Sequence, residues 1–234
     1  MDNKKLSKLI FSSLAFHYLC QKSKLPKKMK KTLFLSMLLV TLISSCTQQP
    51  AAAPTDGPSF HQVITTRRSI RQYDATKTIS EAEVRQLITL TQEAPSWANG
   101  QPTKYYVAMT PEKVAAVQEL VGDFNKRNVQ GAPVLMVSTY ERGKSGFFNG
   151  KATNEIGEGW GAHDNGVSNA FLVLAARSMG FDTLIMGMRD SDALRTLFGI
   201  PESETIMAVI SLGYRAGEPN RPERRPLDEI VKFY

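Results

Sequence analysis

"TTRRSIRQY", residues 65–73, sets three arginines into five positions, with Ser69 and Ile70 between them. Planar guanidinium groups bind phosphate oxygens in pairs, and a serine hydroxyl adds another donor. Taken alone, a run of this kind is more often a solvated surface than a site. Its surroundings in the chain decide between a charged face and an anion clamp.

Upstream, the charge is unevenly spread. Of 29 Lys/Arg and 22 Asp/Glu, nine and one fall in residues 1–45, which leaves 20 against 21 for residues 46–234. The net charge of +7 therefore belongs to the leader. It gives no ground for nucleic-acid binding, which needs the charge on a folded surface. "MKKTLFLSMLLVTLISSCTQQ" starts at Met29 with two lysines, runs apolar from Leu33 to Ile43, then turns to small residues. That is the order of an export signal, and the apolar run is short for a membrane span. Ile43-Ser44-Ser45-Cys46 resembles the bacterial lipobox. Cys46 would then be lipidated and become the mature N-terminus, anchoring the protein to a membrane of the cell envelope. The alternatives are an uncleaved N-terminal anchor or, with an unprocessed leader, a cytoplasmic protein. Export would also take the domain away from cytoplasmic NAD(P)H.

A second apolar stretch, "LIFSSLAFHYLC", precedes the signal, so residues 1–28 read as an upstream extension and Met29 as the start of translation. Residues 29–45 are then the signal and 46–58 a Pro/Ala-rich tether. Residues 59–234 form a single domain of about 175 residues, a size that suits one core. Cys20 and Cys46 are the only cysteines. The domain therefore holds no disulfide, cysteine metal ligand or cysteine nucleophile.

Within the domain, "SFHQVITT" reads as a short helix. Ser80 and Glu83 make a capping box for a second helix, whose face carries Val84, Leu87, Ile88 and Thr91, and Pro95 ends it. "KYYVAMT" reads as a strand, and Thr110-Pro111 starts a helix through Leu120. "PVLMVSTY" is a near-continuous apolar run, hence a buried strand. The Gly/Asn-rich stretch 143–161 is a loop with exposed aromatics, followed by an apolar helix from about Ala162 to Met179. "FDTLIMG", "SDALRTLFG" and "TIMAVISLGY" give strand, helix and strand, before a charged, proline-rich tail. Alternation of this kind makes a parallel α/β sheet the default from pattern alone.

Several motifs fail. Gly143-Lys144-Ser145 ends like a P-loop, but Ser138 occupies the position of the required first glycine. "GEGWG" lacks the strand before it that dinucleotide binding needs. His61 and His163 are the domain's only histidines, without metal-ligand spacing, so no metal site is expected. His163 and Asp164 are a hydrolase's residue types, yet no G-x-S-x-G elbow exists.

Four segments hold together: "RRSIRQY"; "PSWANGQP" at 95–102; "DNGVSNAFLVLAARSMG" at 164–180; and "RRPLDEIV" at 224–231. In this order they resemble the FMN-dependent nitroreductase family over roughly residues 60–234. The resemblance implies an α+β fold with a mainly antiparallel central sheet flanked by helices, in an intertwined homodimer with FMN at the subunit interface. It implies that Arg67, Ser69 and Arg71 hold the FMN phosphate and ribityl chain, with Arg68 contributing through its backbone and Arg224 reaching in from the tail. Pro95, Ser96, Trp97 and Asn99 would line the flavin from the other subunit. The backbone N–H groups of Met186 and Gly187 would lie near the flavin N5, and Asn125 would add a polar contact. No side-chain acid or base is implied, because the flavin carries the chemistry.

The implied activity is ping-pong hydride transfer from NAD(P)H through FMN to a nitroaromatic, a quinone or a similar electron-poor small molecule. Phe147, Phe148 and Trp160 in the glycine-rich loop are the expected substrate pocket. Thr103 departs from the family pattern, in which an aromatic residue often follows the Gln-Pro pair. Two alternatives remain: other flavin chemistry, such as flavin breakdown or reductive dehalogenation, and an anchored, non-catalytic flavin- or ligand-binding protein.

Overall fold

Helix starts follow the caps written in the sequence. A computed structural model describes residues 57–234. The upstream extension, the signal with Cys46 and most of the tether lie outside the described residues. Helix α1, Phe60–Thr66, opens on a capping box between Ser59 and Gln62. Helix α2, Glu81–Thr91, opens on the expected box between Ser80 and Glu83. It buries Val84, Leu87 and Thr91. A single 3₁₀ turn, Trp97–Asn99, leads to strand β1, Thr103–Ala108. Thr110 caps helix α3, Pro111–Glu119, with proline in its first turn, where a missing N–H costs nothing.

Helix α4, Gly122–Asn128, has no counterpart in the pattern reading. Its N-cap, Val121, makes no side-chain cap, and none of its own residues is buried. Such a helix carries no apolar period to read. Strand β2, Val134–Glu141, is followed by a two-residue hairpin, β3 Phe147–Phe148 and β4 Lys151–Ala152. Helix α5, Gly159–Ser178, strand β5, Asp182–Met186, helix α6, Ser191–Phe198, strand β6, Glu204–Gly213, and a final turn, α7 Leu227–Ile230, complete the described elements.

The central sheet has the order β1-β2-β6-β5, and every strand pair in it is antiparallel. The parallel default from alternation is therefore wrong, and the antiparallel sheet implied by the resemblance is right. Alternating helices usually mean crossovers, but here α3 and α4, and later α6, link neighbours that run in opposite directions.

Both faces of the sheet are covered. Leu135 and Val137 of β2 enter one core with Val117 of α3 and Leu194 of α6. Val134 and Met136 enter a second core with Leu87 of α2 and Leu172 of α5. Successive side chains of a strand point to opposite faces, so a strand buried on both sides must be apolar throughout. That is why "PVLMVSTY" shows no alternation. The β2–β6 register shifts between Ser138 and Thr139. The shift lets Ile206 and Val209, three residues apart, share one core, which an unbroken period of two forbids.

Candidate functional site

Residues 67–74 are stitched to the rest of the domain at both ends. Ser69 bridges Thr183 of β5, with the Ile70 amide donating to the Thr183 carbonyl at 3.0 Å. Further on, the Asp74 amide donates to the Tyr214 carbonyl at 2.9 Å and the Ala216 amide to the Gln72 carbonyl at 3.0 Å. Ile70 and Tyr73 are buried, and the Tyr73 hydroxyl meets Ser211 at 2.7 Å. Gly213 leaves room for the Tyr73 ring, which a Cβ there would meet at 2.6 Å. With these two side chains pinned inward, Arg67, Arg68, Ser69 and Arg71 remain on one wall of a cleft of about 610 Å³, closed by the tail through Arg224. That volume suits a small-molecule ligand.

The cleft is cationic. Burial lowers the pKa of the Arg68 guanidinium, and the like charges of Arg221, Arg67, Arg215 and Arg224 add to the effect. Arg68 itself turns back onto the Thr65 and Arg67 carbonyls at 2.9 and 2.7 Å. Arg71 donates to the Ser69 carbonyl at 3.2 Å. The acid in the cleft, Glu218, is taken by Arg215 at 2.9 Å. Arg215 is in turn clamped to buried Asp182 at 2.7 and 2.6 Å.

Asn128 at the end of α4 lines the same cleft, and its buried side-chain N–H₂ has no hydrogen-bond partner among the described residues. An unmade bond of that kind costs about 1–3 kcal/mol, so a donor so placed suits an acceptor on a ligand in the cleft. Asn125, the polar contact that the resemblance implies, instead donates its side-chain amide to the Val121 carbonyl at 3.2 Å, within the helix. Asn125 is not among the residues lining the cleft, whereas Asn128, one turn on, is. A polar residue at the end of a helix with no apolar period gave no signal to separate the two.

The other predicted residues fall elsewhere. Met186 is buried at the end of edge strand β5, and a Cβ added at the exposed Gly187 would meet nothing within 4 Å. Pro95, Ser96, Trp97 and Asn99 are not on the arginine cleft of their own chain. Their segment is tightly held and strained: Ala98, Asn99 and Gln101 all have positive φ, at 46°, 56° and 46°. Such conformations cost about 1–3 kcal/mol each and persist where neighbours over-determine them. The Ser96 hydroxyl accepts from the Gln101 amide at 3.0 Å, and the Trp97 amide donates to Asp164 at 2.8 Å.

The Trp97 ring packs on Trp160 with centroids 4.9 Å apart, and Trp160 lies edge-on to His163 at 5.3 Å. Phe147 is half-buried, and Phe148 beside the hairpin tip is 73% exposed. Trp97 and Trp160 are thus brought together. His163, Asp164 and Ser145 do meet, but not as a hydrolase: the Ser145 hydroxyl donates to Asp164 at 2.6 Å, and the imidazole meets the other carboxylate oxygen at 3.1 Å. The hydroxyl is held by a weakly basic carboxylate and the imidazole sits on that carboxylate's other oxygen, so no histidine is placed to activate the serine as a nucleophile.

An antiparallel sheet covered by helices on both faces, with a polycationic cleft beyond its edge strand, defines an α+β protein whose cleft suits an anionic ligand. The Nitroreductase family model matches residues 64–214, and the chain belongs to that family. Among relatives, YdgI of Bacillus subtilis, named for NAD(P)H nitroreductase activity, is 24% identical over 203 residues, spanning 74% of this chain and 97% of its own. An NADH dehydrogenase of Thermus thermophilus is 25% identical over 189 residues, 70% of this chain and 91% of its own. Among solved structures, an Exiguobacterium sibiricum protein described as a nitroreductase in complex with FMN superposes with a TM-score of 0.68 at 22% identity. It covers 80% of this chain and 100% of its own.

Proposed function

We propose that the domain is an FMN-dependent oxidoreductase that carries reducing equivalents from NAD(P)H to an electron-poor small molecule such as a nitroaromatic or a quinone. The observation that carries this reading is one cleft, in a chain of this family, that gathers Arg67, Arg68, Arg71 and Arg224 beside the unpartnered Asn128 amide. FMN fits these residues: its phosphate answers the clustered cations, and its polar edge offers acceptors of the kind Asn128 lacks. When bound, FMN supplies the redox chemistry, taking hydride from NAD(P)H and returning it to the acceptor in alternating half-reactions.

The chain does the holding. Arg67, Arg71 and Arg224 bind the phosphate with the Ser69 hydroxyl. Arg68, whose guanidinium is committed to two carbonyls, braces that turn of backbone. The backbone of Met186 and Gly187 borders the ring. Pro95, Ser96, Trp97 and Asn99 border it from a second copy, since they lie off the cleft of their own chain. Phe147, Phe148 and Trp160 face the acceptor. The leader delivers the domain to the cell envelope, where lipidated Cys46 anchors it and the electron donor must reach it.

The purified protein is expected to be yellow and to bleach anaerobically with NADH or NADPH, then to recover colour on adding a nitroaromatic or quinone. A colourless protein that cannot be reconstituted with FMN overturns the assignment. Yellow protein that neither reductant bleaches assigns it to other flavin chemistry or to binding without turnover.

A further inference from the structure

We infer that Asp164 is a positioning residue, a clasp that sets the strained segment 96–101 and the glycine-rich loop 143–161 against each other. The inference rests on the reading above only in that this segment borders the flavin. Asp164 is 2% exposed, on the second turn of α5. One of its oxygens accepts twice, from the Trp97 amide at 2.8 Å and from the Ser145 hydroxyl at 2.6 Å. The other meets His163 Nδ1 at 3.1 Å. One carboxylate thus joins three stretches that are far apart in sequence: 67 residues separate Trp97 from Asp164, and 19 separate Ser145 from it.

Each stretch has reason to need the tie. Residues Ala98, Asn99 and Gln101 hold positive φ without being glycine, and the Trp97 amide is the point where that turn is fixed to the helix. On the loop side, Ser145 is 1% exposed, and Gly146 beside it has φ of +82°. A Cβ at Gly146 would meet the Gly157 carbonyl at 2.6 Å and Trp160 at 2.7 Å, so this close approach is open to glycine alone. Trp97 and Trp160, packed at a tilt with ring centroids 4.9 Å apart, lie at the same junction. An aspartate accepts both bonds with a charged oxygen, whereas asparagine, even with its carbonyl turned to the two donors, offers only a neutral acceptor and weaker bonds. The geometry therefore couples the flavin-lining turn to the substrate loop through one acceptor.

Hydrogen exchange on the FMN-free protein tests the coupling directly. In Asp164→Asn, peptides covering 96–102 and 143–148 are expected to lose protection together by tenfold or more, with strand β2 unchanged. Emission from Trp97 and Trp160, the protein's two tryptophans, should shift in parallel. Ser145→Ala, which removes one limb and keeps the fold, is expected to deprotect 96–102 although it does not touch that segment. FMN titration should then show at least tenfold weaker binding for Asp164→Asn. Leu172→Ala, a core truncation on the same helix, should lower the melting temperature and leave both the 96–102 exchange and FMN affinity near wild type. Exchange that changes in one segment only, or FMN affinity that tracks melting temperature across the three variants, overturns the clasp. Wild-type protein that does not bind FMN overturns the proposed function instead, and the exchange result still decides the clasp.

Discussion

Arg71 is exposed, and among the described residues its side chain hydrogen-bonds the Ser69 carbonyl alone, so removing it costs the fold little. Its value lies in the charge-assisted bond it would make to phosphate. Arg71→Ala is expected to weaken FMN binding by about 1.5–3 kcal/mol, with melting temperature nearly unchanged. Flavin retention on dialysis checks this, with Arg85→Ala as control, because Arg85 pairs only with exposed Glu81 and such pairs contribute little. At this scale the arginine run was legible, and so was Ile70, because one apolar residue among charges has to turn inward. Asn128 was not legible: nothing in "FNKRN" distinguishes two asparagines one turn apart until the helix is placed. Asp164 was passed over for a related reason. Ser145 read as a failed P-loop and His163-Asp164 as a failed hydrolase, and only the fold brings the two fragments together.

Among the elements, β6 begins on a buried charge that fastens three strands. Glu204 is 1% exposed and accepts from Thr139 of β2 at 2.6 Å, from Lys104 of β1 at 3.0 Å and from Tyr106 of β1 at 3.0 Å. Burial works to raise its pKa, but the bonds from Thr139, Lys104 and Tyr106 prevail and hold it below the ordinary 4.5. A carboxylate with a depressed folded pKa stabilises the protein above its unfolded value, and that contribution is lost as pH falls through the folded one. Glu204→Gln is therefore expected to destabilise most at neutral pH, with the gap from wild type narrowing below pH 4.5. Urea unfolding at several pH values checks it; a gap independent of pH would mean the charge contributes nothing. The elements themselves were largely legible, since capping boxes and apolar periods are local. The strand order was not, because both β2 and β6 are buried on two faces and so lose the alternation that would reveal their neighbours. Helix α4 and the β6 bulge at Met207, opposite Ser138 and Thr139, depend on tertiary packing and leave no period.

For the whole molecule, the distance between the arginine cleft and the segment 95–99 motivates the proposed two-chain site. One chain gathers the arginines, but Pro95, Ser96, Trp97 and Asn99 lie off that cleft. The same chain leaves Phe60, Phe124, Met188, Leu227 and Phe233 each more than 60% exposed. Apolar residues are ordinary on a surface one at a time; under the proposed two-chain site, a second copy would cover some of these. If each flavin site is built from two chains, FMN binds the dimer and not the monomer, and mass action then ties assembly to ligand. Sedimentation is expected to give twice the chain mass of 26.0 kDa. Added FMN should move dissociation to lower protein concentration, and dilution should release flavin along the same curve as it releases subunits. A monomer that keeps its flavin at every dilution would place the whole site in one chain, and the 95–99 segment would then need another partner for its strained backbone.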